Sequence, residues 1–135
     1  MFEQQERKAD KEVPTFFPPD YNVERNEGKY EPFDYYVSKP GQPKIEMEYK
    51  ERLGYNSDTF NTWFLEDHKV QEIGTPFLYL NKFKDGKVLV WFVTDELLEN
   101  TDTDTRRLPK TTGASRGTKM KKVWNLPTTE ATRLR

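Results

Sequence analysis

The sequence predicts an α/β domain followed by a basic tail, and three observations carry that prediction. Residues 21–50 alternate apolar and polar side chains around two turns, as strands joined by tight connections do. Phe60, Trp63, Phe64, Val70 and Ile73 then recur at three-, four- and seven-residue spacings, the stripe of an amphipathic helix. Two apolar runs, 77–80 and 88–93, flank Lys84-Asp85-Gly86-Lys87, where Asp-Gly is a strong hairpin signal.

Taken in order, residues 2–13 read as a short polar helix with a thin apolar face of Phe2, Ala9 and Val13, ended by Pro14. Pro14, Pro18 and Pro19 punctuate the linker after it. A first strand spans 21–25, Asn26-Glu27-Gly28-Lys29 turns the chain, and a second strand covers 32–38. Ser38-Lys39-Pro40-Gly41-Gln42-Pro43 reads as a turn into a third strand at 44–50. The helix is expected over 57–73, with Asn56 or Ser57 as its N-cap, Asp58 in its first turn and Gly74 at its C-cap. The runs 77–80 and 88–93 are apolar at nearly every position and are expected to be central strands covered on both faces. Asp95-Glu96-Leu97-Leu98 begins one more helical turn. The expected division is an α/β domain at 1–100 and a basic, flexible tail at 101–135, mobile until something binds it.

Composition narrows the chemistry. With 135 residues the chain supports one domain, and 33% hydrophobic against 14% aromatic residues implies a small, aromatic-rich core. The absence of Cys excludes disulfides, thiolate metal sites and a Cys nucleophile, and a single His, His68, excludes a multi-histidine zinc site. No stretch approaches the roughly 18 apolar residues of a membrane span. The polar start Met1-Phe2-Glu3-Gln4-Gln5-Glu6-Arg7 is unlike a secretory signal, so an intracellular (cytoplasmic) protein is expected.

The net charge of −1 hides an asymmetry. Residues 1–105 hold 13 Lys/Arg against 22 Asp/Glu, whereas residues 106–135 hold 9 Lys/Arg against Glu130 alone. Such a basic segment on an acidic body is a signature of nucleic-acid contact, and equally of a solvated tail folding back on its own domain. The candidate DNA contacts are Arg106, Arg107, Lys110, Arg116, Lys119, Lys121, Lys122 and Trp124. Trp124 sits where an aromatic can stack on a base while the lysines meet phosphates, or can anchor the tail to the domain.

The chemistry-bearing motif is Phe33-Asp34 followed by Glu48-Tyr49-Lys50. Alternate residues of a strand share a face, so Glu46, Glu48 and Lys50 project together, opposite Ile45, Met47 and Tyr49. A hairpin at 38–43 brings Asp34 opposite Met47 or Glu48. Two carboxylates and an ammonium there form a minimal kit for phosphodiester hydrolysis: Asp34 and Glu48 hold Mg2+ or Mn2+, and Lys50 orients water or offsets charge in the transition state. Glu46 is a further candidate ligand. The same alternation also describes a half-buried strand whose charged face meets only solvent.

Motif and element order together resemble the αβββαβ core of the restriction endonuclease-like nucleases, the PD-(D/E)xK superfamily. The resemblance covers about residues 2–94. Pro32-Phe33-Asp34 stands one residue out from the family's Pro-Asp, Glu48-Tyr49-Lys50 matches its second half, and Arg52 follows where many relatives carry a basic residue. Residues 59–69 look like the helix after the motif in small phage-type nucleases. The resemblance implies a mixed central sheet flanked by helices in an αβββαββ arrangement, with Asp34, Glu48 and Lys50 catalytic. It also implies a metal-dependent deoxyribonuclease of phage type, structure-selective or nonspecific, with DNA as partner and no membrane. A junction resolvase would need two sites and so a homodimer. Many members add an acidic residue from the first helix, for which Glu3 and Glu6 are candidates. A nuclease-like fold without turnover, serving DNA binding or virion assembly, is the other class of function. If the family glutamate were Glu46, Glu48 would stand in the lysine position.

Overall fold

The computed structural model describes residues 8–28, 31–109 and 117–135. The fold is mixed α/β with few helices. Residues 8–12 are helical and tighten into a 3-10 turn at Val13–Phe16, where Pro14 occupies the first turn without needing its missing N–H. A six-stranded sheet follows, in the order β1-β2-β3-β5-β6-β9, formed by β1 (Asn22–Arg25), β2 (Tyr35–Ser38), β3 (Ile45–Arg52), β5 (Phe77–Phe83), β6 (Val88–Val93) and β9 (Thr132–Arg133). β3 and β5 are parallel, and every other neighbouring pair is antiparallel. A second, three-stranded sheet has the order β4-β8-β7, from β4 (Thr62–Glu66), β7 (Thr103–Pro109) and β8 (Thr118–Pro127). Two short helices complete the fold: α1 (Asp67–Ile73) and α2 (Asp95–Glu99). Among the described residues no helix is long and apolar enough to cross a membrane.

Alternation along β5 and β6 builds two cores, one on each face of the large sheet. Leu80, Val88 and Val90 pack with Val13, Phe16, Tyr35, Val37 and Met47 under the N-terminal segment. Phe77, Tyr79, Phe83, Trp91 and Val93 pack on the other side with Trp63, Leu65, Val70, Leu98 and Leu126. The two apolar runs are therefore covered on both faces along most of their length, as their composition predicts, but Phe92 stays 50% exposed. Asp85-Gly86 turns the hairpin between them, with Gly86 at φ 81° and Phe83 N–H donating to Lys87 O at 3.0 Å.

The helix expected over 57–73 is corrected by the structure. Only Asp67–Ile73 is helical, and Thr62–Glu66 is strand β4. Trp63 and Leu65 are buried while Thr62, Phe64 and Glu66 are less so, a period of two that wins because β8 supplies a pairing partner from Thr62 opposite Pro127 to Glu66 opposite Val123. Ser57 caps nothing: its N–H and Oγ both donate to the Asp85 carboxylate, at 3.0 and 2.8 Å. Gly74 does close the helix, at φ 82°, donating to Val70 O at 2.9 Å.

The flexible tail expected at 101–135 is corrected as well. Its described residues form β7, β8 and β9, with Val123 and Leu126 fully buried. Trp91 Nε1 donates to Pro127 O at 2.8 Å, tying the two sheets together. The second layer over the central sheet is thus mostly β-structure supplied by the C-terminal third, where flanking helices were expected.

Leu126 tests this placement. In a tail Leu126→Ala would be neutral; packed against Trp63 and Trp91's layer, it is expected to cost about 2–5 kcal/mol in urea denaturation.

Candidate functional site

The hairpin from β2 to β3 sets the site. Tyr35 lies opposite Met47 and Tyr36 opposite Glu46, so Asp34, one residue before β2, falls beside Glu48. Asp34 N–H donates to Met47 O at 3.0 Å, and Tyr49 N–H donates to Asp34 Oδ2 at 2.9 Å. The second bond fixes the orientation of the carboxylate at the edge of β3.

Glu48 projects toward the second layer, in register with Tyr79 on β5. Its side chain is 15% exposed, and its Oε2 is buried without a hydrogen-bond partner. Burial, reinforced by the Asp34 charge, pushes the Glu48 carboxyl up to about 8 against an ordinary 4.5. The Lys69 and Lys50 ammonium groups oppose that shift without cancelling it. Lys50 is exposed at the rim, on the same strand face. Asp34, Glu48 and Lys50 are therefore brought together electrostatically by the structure.

Glu46 shares that strand face, on the other side of Glu48 from Lys50. It sits opposite Tyr36, two residues toward the turn and so about 7 Å along the strand from Glu48. Among the described residues no set of three or more His, Asp or Glu side chains is placed to hold a metal ion. Glu3 and Glu6 lie outside the described residues, as do Lys110 and Arg116.

Lys69 is the site residue that motif spacing missed. Its Nζ lies 3.7 Å from Glu48 Oε2, an ion pair too long for a hydrogen bond, and donates to Pro32 O at 3.2 Å. Lys69 thereby ties α1 to the segment leading into Asp34. A signal was present: with α1 starting at Asp67, Lys69 falls in the first turn, where the macrodipole disfavours a cation unless an anion faces it. His68 shares that turn, between Glu66 at 3.4 Å and Glu72 at 3.6 Å, rather than at a helix C-terminus as the longer helix would have it.

The basic residues divide into anchors and exposed groups. Lys121 Nζ pairs with Glu66 at 3.0 Å with its side chain only 9% exposed, and Trp124 Nε1 donates to Asp67 at 2.8 Å. Both hold the β7–β8 hairpin against the start of α1. Arg106 donates to Asn125 Oδ1 and lies over the Phe64 ring, yet remains exposed, as do Arg107, Lys119 and Lys122. Arg52 is buried, donating to Asn81, Phe64 O and Tyr79 Oη. Tyr79 Oη in turn donates to Phe64 O, linking β5 to β4 beneath Glu48.

No family model matches this chain, and no curated protein or solved structure matches it either.

The Glu48 shift has a definite pH signature. A carboxyl titrating near 8 when folded and near 4.5 when unfolded contributes stability that is complete below about pH 4.5 and is lost as pH rises through about 8. In metal-free buffer Glu48→Gln, which mimics the protonated form, is expected to be more stable than the wild type by about 2 kcal/mol or more at pH 9. The two proteins should converge near pH 4, which denaturation curves across pH would show.

Proposed function

We propose that this chain is a metal-dependent deoxyribonuclease of the restriction endonuclease-like kind, hydrolysing DNA at Asp34, Glu48 and Lys50. One observation carries the reading: a buried Glu48 carboxyl beside Asp34, with Oε2 lacking any hydrogen-bond partner and its affinity for a proton raised. An acid pair in that state fits a hard divalent ion, Mg2+ or Mn2+, whose preferred donors are carboxylate oxygens. When bound, such an ion acidifies water and draws charge from the phosphate.

The residues themselves have separable tasks. Tyr49 N–H holds Asp34 in a fixed orientation. Glu48 would hold the ion in its deprotonated form, so affinity for the ion would rise with pH. Lys50 presents its ammonium at the rim, within reach of a phosphate and of the charge that develops during displacement. Lys69 steadies Glu48 from α1. The order of helical segment, three antiparallel strands, helix and parallel β5 also supports a restriction endonuclease-like core, to which β4 and the β7–β8 hairpin would be additions.

The hairpin favours DNA as the substrate. β4 pairs β8 only from Val123 onward, so 105–109 and 118–122 extend beyond it as a two-stranded ribbon bearing Arg106, Arg107, Lys119 and Lys122. A ribbon of that kind fits a major groove, and its cations suit phosphates. Resolution of a DNA junction, which needs two cuts, would further require a homodimer.

The Lys69–Glu48 ion pair favours a second reading. There the ammonium takes the place of a metal ion, and the protein is a catalytically inactive DNA-binding or virion-assembly protein.

The test is cleavage of supercoiled plasmid with Mg2+ or Mn2+, together with thermal melting at pH 8. Lys50→Ala is expected to lower the cleavage rate by about 10²–10³-fold without loss of DNA binding. Added Mg2+ should raise the melting temperature of the wild type but not of Asp34→Ala. DNA binding with neither cleavage nor metal stabilisation would favour the inactive protein.

A further inference from the structure

Strand β3 does not end at the acid pair. Arg52 closes it, two residues past Lys50 on the same strand face and so about 7 Å farther on. The chain then loops out and returns through β4, and this loop carries an unusual feature. The rings of Tyr55, Phe60 and Trp63 pack against one another, with centroids 5.3 Å apart for Tyr55–Phe60, 5.8 Å for Tyr55–Trp63 and 5.3 Å for Phe60–Trp63. Trp63 is the buried floor, while Tyr55 and Phe60 stand 47% and 49% exposed. With Arg52, Phe64 and Arg106 they line a cavity of about 210 Å³.

The electrostatics of the cavity select its ligand. The Arg52 and Arg106 guanidinium carbons lie 4.6 and 5.0 Å from the Phe64 ring centroid, so two fixed cations flank the aromatic wall. They repel a cationic guest and favour one that joins a flat π-face to a negative charge. A nucleotide has both: its base stacks on the rings and its phosphate meets the exposed Arg106, with buried Arg52 adding positive charge behind the wall. The volume is enough for a single base.

Its position completes the argument. Arg52 donates to Tyr79 Oη, and Tyr79 is the cross-strand neighbour of Glu48. Arg106 belongs to the basic hairpin. The cavity is therefore linked to the acid pair through Arg52 and Tyr79, and to the basic hairpin through Arg106.

We propose that the Tyr55–Phe60–Trp63 cavity binds an unpaired nucleobase of the DNA strand whose phosphate lies at Glu48 and Lys50. Resting on the nuclease reading, this names the substrate class: DNA with an unpaired base a short way along the strand from the scissile bond, as in single strands, flaps and bulges.

The test is binding by the full chain in EDTA, so that cleavage cannot intervene, of a labelled oligothymidylate and of a blunt duplex. Phe60→Ala and Tyr55→Ala, at half-exposed positions, are each expected to weaken oligothymidylate binding by about tenfold or more, because each removes one stacking surface. Phe60→Tyr should bind as the wild type does. Duplex affinity, set by phosphate contacts, should stay within about twofold. Equal losses on both DNAs, unchanged affinity for the single strand, or no single-strand binding by the wild type would overturn the proposal. Plasmid cleavage measured in parallel separates the two readings. Cleavage without ring-dependent binding sinks the cavity alone, and ring-dependent binding without cleavage sinks the nuclease alone.

Discussion

Strand β5 lies parallel to β3, from Met47 opposite Leu78 to Arg52 opposite Phe83, and parallel neighbours cannot be joined by a tight turn. The chain has to leave the sheet after Arg52 and return to the same end before Phe77. That crossover carries β4 and α1 across the sheet face on which Glu48 sits. β4 in turn offers an edge to β8, which brings the C-terminal third of the chain into the fold. The second core, the exposed ribbon and the aromatic cavity all follow from this one crossover.

The same constraint makes the acid pair electrostatically unusual. A Glu on an open strand face would titrate normally. Here the crossover covers Glu48 while the hairpin holds Asp34 beside it, so the carboxyl is buried next to a like charge. Lys69 offsets part of the cost from 3.7 Å, but leaves Oε2 without a hydrogen bond. A buried acceptor in that condition is expensive. On the proposed reading, a cation that both carboxylates share would offset that cost.

What the sequence revealed and what it hid have physical reasons. The β2–β3 hairpin was legible because its strands alternate around a Pro-Gly turn, which brought Asp34 opposite Met47 or Glu48; the register selects Glu48. Asp85-Gly86 and Gly74 were legible because each needs a positive φ. β4 was hidden because Phe60, Trp63 and Phe64 satisfy a helical spacing although the last two lie within the strand, and its partner lies some sixty residues away. β7 was hidden because it is charged or polar almost throughout and nearly fully exposed, so no periodicity marks it. The error over β4 also concealed Lys69, since a helix begun at Ser57 puts that lysine near its end. The mixed α/β class survives these corrections; the helical second layer does not.

The measurement closest to the centre of this account is the titration of the Glu48 side chain by NMR, with and without Mg2+. The account predicts a metal-free midpoint near 8, moved well down when Mg2+ is added and moved down in Asp34→Asn even without it. An ordinary midpoint near 4.5, indifferent to both, would contradict the account and return Glu48 to the role of a charged residue on a strand.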